Sequence, residues 1–327
     1  MSVVYWSGDI DGDWQDNGNW DGDIPVAADE VIFDGRSAVA VTDGIAVGET
    51  GGLDFDLLHF KISHSGDVGT ISERLHTSAQ RIIIEGSGTY YIEVSENATG
   101  QDQTIPLVII NNKSATVYLT SNENTSSWCC EFTEGFALAG TVYIGDTNID
   151  TAVQYLRITP IKSANASVVI HEDCIRIKTT PYNMSVYMSN GTCTMDSAAT
   201  LIEFFGGTFN YGTDLDESPE IDMNITTLRI HGGAFNWYPD DSGDDAYIGN
   251  LWLFGGSLNA SGALNANRAK VLGNGDGNDV HMFEGATLNI ANERGNITIA
   301  TGSQLWNFDG NLFVDRGSEV NVFYDHP

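Results

Sequence analysis

Hydrophobic residues recur along the chain in short β-branched and aromatic runs set between clusters of Gly, Asn, Asp and Ser. Examples are Val31 to Phe33, Leu57 to Ile62, Arg81 to Glu85, Tyr90 to Val94, Leu107 to Ile110, Thr116 to Leu119, Thr141 to Ile144 and Ser185 to Met188. Apolar and polar positions alternate in Leu156-Arg157-Ile158 and Ile175-Arg176-Ile177-Lys178, the period of a strand with one buried and one wet face. The spacing i, i+3, i+4, i+7 that would predict an amphipathic helix is not found. The pattern therefore predicts an all-β chain.

An imperfect repeat of the form apolar-x-apolar-x-Gly-Gly-small-apolar-Asn runs through the second half. It reads LIEFFGGTFN from Leu201, LRIHGGAFN from Leu228 and LWLFGGSLN from Leu251, with looser copies from His281, Ile297 and Leu312. The leading positions of the clear copies lie 27 and 23 residues apart, and the last two copies lie 15 apart. A strand, a Gly bend and a second strand cannot bury an apolar face alone, so repeated units are expected to stack and share one core. The paired glycines supply positive φ and let neighbouring backbones approach. The recurring Asn is placed to form a ladder of side-chain amides. The expected fold is a right-handed parallel β-helix, a solenoid, clearest over residues 200–327 and of open winding over 36–199. A β-sandwich with repeated hairpins is the competing architecture.

Composition refines this picture. With 327 residues and 41% hydrophobic content, the chain can bury a large core. Its 45 Asp plus Glu against 14 Lys plus Arg leave a net charge of −31, which repels phosphate backbones and anionic headgroups. Nucleic acid and membrane are thus not expected partners, whereas a cation or another protein is. No apolar run approaches a membrane span, and the opening MSVVYWSGDIDGDW has neither a basic leader nor an apolar core, so a secretory signal is not expected. Cys129, Cys130, Cys174 and Cys193 are too few for a disulfide scaffold and are expected to be buried thiols.

The N-terminal stretch differs from the rest. Trp6, Trp14, the Asn19-Trp20 pair, Pro25 and Asp29-Glu30-Val31 fall in quick succession before the strand Val31-Ile32-Phe33. Over these 30 or so residues the chain resembles the opening segment of autotransporter-type passenger domains and related β-helix proteins of the pectin-lyase-like kind. The resemblance implies an aromatic cap over the first coil, giving a cap or docking segment at 1–35 and a β-helix at 36–327. Sugar stacking on the tryptophans is the alternative use. At the other end, Asn321 to Pro327 shows no amphipathic helix, and a strand edge there is expected to dock on another subunit.

Candidate chemistry is sparse. Polygalacturonase-like hydrolases, which share the β-helix, carry Asn-Thr-Asp and Asp-Asp motifs, then Gly-His-Gly, then Arg-Ile-Lys. This chain resembles them in Arg176-Ile177-Lys178, His231-Gly232-Gly233 and Asp240-Asp241, but the order is wrong and Asn-Thr-Asp is missing. No catalytic residue is therefore assigned. Asp9 to Trp20 fails as an EF-hand because Trp14 stands where Gly is required. Gly273 to Val280 resembles a single RTX nonapeptide, making Asp276 and Asp279 candidate ligands for an incidental Ca²⁺, with no other cofactor expected. Trp6, Trp14, Trp20, Trp237, Tyr238 and Trp252 are the candidate docking or binding residues. Together these readings predict a non-enzymatic structural protein at a virion surface, such as a tailed-phage capsid decoration or head-attached protein. Its partner would be the capsid or its own subunits in a homo-oligomer. The competing expectation is an extracellular or cell-surface β-helix that cleaves or binds glycan.

Overall fold

The computed structural model describes residues 2–42, 54–94, 104–121, 131–145, 152–158, 166–170, 184–195, 198–212, 225–237, 247–261, 270–272, 280–282, 286–291, 296–299, 305–307, 311–314 and 319–322. These form two compact units, one of residues 1–169 and 173–182, the other of 170–172 and 183–327. The stretch 1–35 falls wholly within the first unit. Among the described residues, no helix is long and apolar enough to cross a membrane.

In the first unit, Val3–Trp6, Glu30–Phe33, Leu57–Phe60, Arg81–Ile84, Thr104–Ser121, Glu131–Ile144 and Ala152–Ile158 pair successively in parallel. Alternation decides what they bury. Val4, Val31, Leu58, Ile82 and Val108 are in register and point inward, and from Val31 onward each is fully buried. They lie 24 to 27 residues apart, one turn of the winding. A second ladder joins Val41, Val68 and Tyr90, then runs from Thr89–Val94 into the later parts of Thr104–Ser121 and Glu131–Ile144. Among its described residues, the stretch 36–199, whose winding the pattern left open, is thus built of parallel rungs up to residue 158, and the sandwich alternative is excluded for them.

The second unit repeats the device with longer ladders. Met184–Met188, Ala199–Phe204, Ile225–Ile230, Tyr247–Leu253, Val280–Met282 and Leu305–Asn307 form one parallel series. Thr192–Met195, Thr208–Tyr211, Ala234–Trp237, Gly256–Ser261, Ala286–Ala291 and Asn311–Val314 form another. A third joins the start of Tyr247–Leu253 to Lys270–Leu272, Asn296–Ile299 and Glu319–Val322. The core columns are Val186, Ile202, Leu228 and Leu251, then Met188, Phe204, Ile230 and Leu253, then Cys193, Phe209, Phe235 and Leu258.

The repeat reads correctly in its first four copies, with small shifts of phase. Ile202 rather than Leu201 stands opposite Leu228, and the fourth copy starts at Val280. A one-residue shift matters because it exchanges the inward and outward sets. The two last copies are not turns of the same phase: Ile297 pairs with Lys270, and Leu312 with Leu288. Their 15-residue separation is a step within one turn, which sequence similarity alone could not distinguish from a full turn.

The Gly-Gly bends work as expected. Gly207, Gly233 and Gly256 have φ of 89°, 80° and 69°. A Cβ on Gly233 would stand 2.7 Å from the carbonyl oxygen of Gly207, and one on Gly256 2.6 Å from that of Gly233. The bends therefore stack backbone on backbone, and any side chain would wedge them apart. The Asn ladder is present as well: Asn236 donates to Asn210 at 2.9 Å, and Asn259 donates to Asn236 at 2.8 Å.

Candidate functional site

The N-terminal tryptophans form a closed cluster. Trp6, Trp14 and Trp20 are 1%, 2% and 4% exposed. Trp20 meets Trp6 and Trp14 edge to face at 5.0 and 4.7 Å, and all three rings pack against Phe33. The indole N–H of Trp20 donates to the Trp14 carbonyl at 2.8 Å. Withdrawing such a ring from the core would expose about 150–250 Å², worth ~4–6 kcal/mol at ~25 cal/mol per Å². An aromatic contact with a partner returns only ~0.5–1.5 kcal/mol beyond burial. The cluster is accordingly a cap on the first coil, and offers a partner no open indole face.

Asn19 is what shapes this cap. Its side chain, fully buried, accepts from the N–H groups of Ile10 and Asp11 at 2.9 and 3.0 Å. It also donates to the Asp11 carboxylate at 2.7 Å and the Asp13 carbonyl at 2.9 Å. All four hydrogen-bonding positions of the amide are used. Asp29 plays the matching part at the first strand, accepting from the Ser2 N–H and hydroxyl and from Val26 N–H. Burial opposes ionisation of Asp29, but these hydrogen bonds outweigh it and hold its pKa below the ordinary value. Residues flagged by the resemblance thus serve the fold.

Two outward faces carry the remaining functional groups. In the first unit Tyr91, Tyr118 and Tyr143 stack on successive rungs at 4.5 and 4.7 Å, with ring planes within 8° of parallel. Two residues further along the same strand, Glu93 lies 3.2 Å from Nε2 of His76 and 3.7 Å from Arg74, which donates to the Thr120 hydroxyl at 3.1 Å. Arg74, Glu93 and Thr120 are buried although they occupy outward positions. Nothing in the sequence separates His76 from the other histidines, because the contact with Glu93 joins different turns.

In the second unit the register lines up Tyr187, Glu203, Arg229 and Trp252 on consecutive rungs. Beside them run Phe205, His231 and Phe254. Phe205 and His231 stack at 4.2 Å and 3°, and His231 and Phe254 at 4.7 Å and 16°. Glu203 lies 3.4 Å from Nε2 of His231 and 3.9 Å from Arg229. Phe205 and Phe254 remain 39% and 38% exposed. The signal for this row was the residue before each Gly-Gly, which reads Phe, His and Phe.

The other candidates fall as follows. Trp237 is fully buried in the core, whereas Trp252 is half-buried on the outward face and lies 5.9 Å from Phe254 with nearly parallel rings. Tyr238, Asp276 and Asp279 lie outside the described residues, as do Arg176 to Lys178, Asp240-Asp241, Cys129, Cys130, Cys174 and 323–327. Cys193 is a buried thiol. Among the described residues, no group of three or more His, Cys, Asp and Glu side chains is arranged to hold a metal ion.

No protein-family model, curated protein or solved structure matches this chain. Its class rests on its own geometry, which is that of a stacked parallel β-solenoid protein.

Proposed function

We propose that this solenoid is a non-enzymatic structural protein that docks on a larger assembly, as a decoration or head-attached protein of a tailed-phage virion does. The observation that carries the reading is the placement of His231. It belongs to the one hydrolase-like His-Gly-Gly triplet, yet its ring is sandwiched between Phe205 and Phe254 and serves to bond rung to rung. Outward Tyr and Asn rows are spent in the same way, on stiffness along the stack. The acidic surface, at net −31, favours solubility and a partner with a basic face. Mass spectrometry of density-purified particles from the source of the gene is expected to find the chain at fixed copy number. Its absence from such particles overturns the virion assignment.

A glycan-active reading has one observation on its side, the Arg74, Glu93 and His76 cluster beside the tyrosine row. A carboxylate 3.2 Å from an imidazole nitrogen pairs two groups of the kind that carry out proton transfer on a sugar. New reducing ends from a glycan panel, lost on Glu93→Gln with the fold intact, would establish it in place of the first.

A further inference from the structure

We propose that the outward face formed by Tyr187, Glu203, Phe205, Arg229, His231 and Trp252 is the contact surface for a second copy of this chain. The reason is that this face is complementary to itself. Tyr187, Glu203, Arg229 and Trp252 follow one another in register on four rungs, with Phe205 beside Glu203 and His231 beside Arg229. A two-fold axis along the strands, passing between the Glu203 and Arg229 rungs, sets Glu203 against Arg229 of the second copy and Arg229 against Glu203. The same axis sets Phe205 against His231 and Tyr187 against Trp252, so these six residues meet compatible ones, while Phe254, two residues beyond Trp252, faces Ser189, two residues beyond Tyr187.

Charge selects this face. Two chains of net −31 repel each other across most of their surface, but here Glu203 is balanced by Arg229, whose side chain is 45% exposed. Apolar exposure points the same way: Phe205 and Phe254 are the exposed large hydrophobics among the described residues of the second unit. Ring geometry then argues for a protein over a sugar. Sugars stack on ring faces, whereas these faces are turned on one another at 4.2 and 4.7 Å, leaving ring edges outward. Ring edges suit edge-to-face contact with other aromatic side chains. The inference rests on the docking reading only in taking outward faces as contact surfaces.

The test is sedimentation equilibrium of the full chain. The wild type is expected at twice the 35.3 kDa chain mass. Phe205→Asp is expected to weaken the dimer at least ~30-fold, the effect of losing one interface hot spot, with an unchanged circular dichroism spectrum. Glu203→Arg and Arg229→Glu should each weaken it, and an equimolar mixture of the two single variants should restore it, because each reversed charge then meets its opposite on the other chain. The pair within each chain stays broken in the mixture, so a purely intrachain role would not produce this outcome. A monomeric wild type, or a dimer indifferent to both charge reversals, overturns the proposal. So does binding of a glycan by the monomer that Phe205→Asp abolishes. A monomer still found in purified particles would remove the dimer and leave the docking reading in place.

Discussion

Asn19→Ala removes the four hydrogen bonds that fold residues 9–19 over the tryptophan cluster. At ~1 kcal/mol net per bond the full loss would be ~4 kcal/mol. Ile10 is 62% exposed, however, so water can satisfy part of what is released. The expected destabilisation is therefore about 2–3 kcal/mol. Urea unfolding followed by tryptophan fluorescence is the suitable assay, because three of the chain's seven tryptophans sit in this cap. Asn19→Asp sharpens the test. It keeps the acceptor used by the two N–H groups but places a second carboxylate where the amide stood 2.7 Å from Asp11. It should be the more damaging change at neutral pH and recover in acid, where the new carboxyl carries a proton to donate. An Asn19→Ala midpoint equivalent to less than ~0.5 kcal/mol, the range of ordinary surface changes, would refute the role given to the amide.

Three further outcomes follow from the core and the bends. His64 is fully buried against Phe33, Phe60 and Tyr90, and burial, outweighing the backbone groups of Gly66, Ser37 and Asp34 that favour the charged ring, lowers its pKa below 6.5. The unfolded chain then binds the extra proton, so this contribution to stability is complete above pH 6.5 and is lost as pH falls from there toward the folded value. The difference in urea midpoint between wild type and His64→Leu should change with pH only below that value, and a difference independent of pH would count against a buried neutral imidazole. Gly233→Ala puts a methyl against the Gly207 carbonyl at a φ of 80° and should cost more than ~2 kcal/mol by thermal or urea unfolding. Asn236→Leu breaks both bonds of the amide ladder and should cost ~1–2 kcal/mol in the same measurement; an equal or higher midpoint would show the ladder to be incidental.

Much of this protein is determined by local pattern. Period-two alternation assigns Leu228 and Leu251 to the interior without any knowledge of their neighbours, whereas Ile202 in place of Leu201 was decided by register. The Gly-Gly pairs and the recurring Asn likewise announce their roles, because a bend with positive φ and an amide ladder each need one residue type at one place in the turn. Phase and partnership were decided only by the tertiary structure. Leu312 sits in a sequence like that of Leu228 but lies on a different ladder, since the length of each intervening loop sets which strand it meets. Residues 36–199 lack a repeat, and over the described residues of 36–158 their winding emerges from pairings 17 to 28 residues apart. The tryptophans carry the same lesson. Exposed docking rings and a buried cap are identical in sequence, and the choice between them depends on whether Asn19 folds its loop back over the first coil. The Glu93 and His76 contact and the self-matching face around Glu203 and Arg229 were equally hidden, because each joins residues from separate turns that only stacking brings side by side.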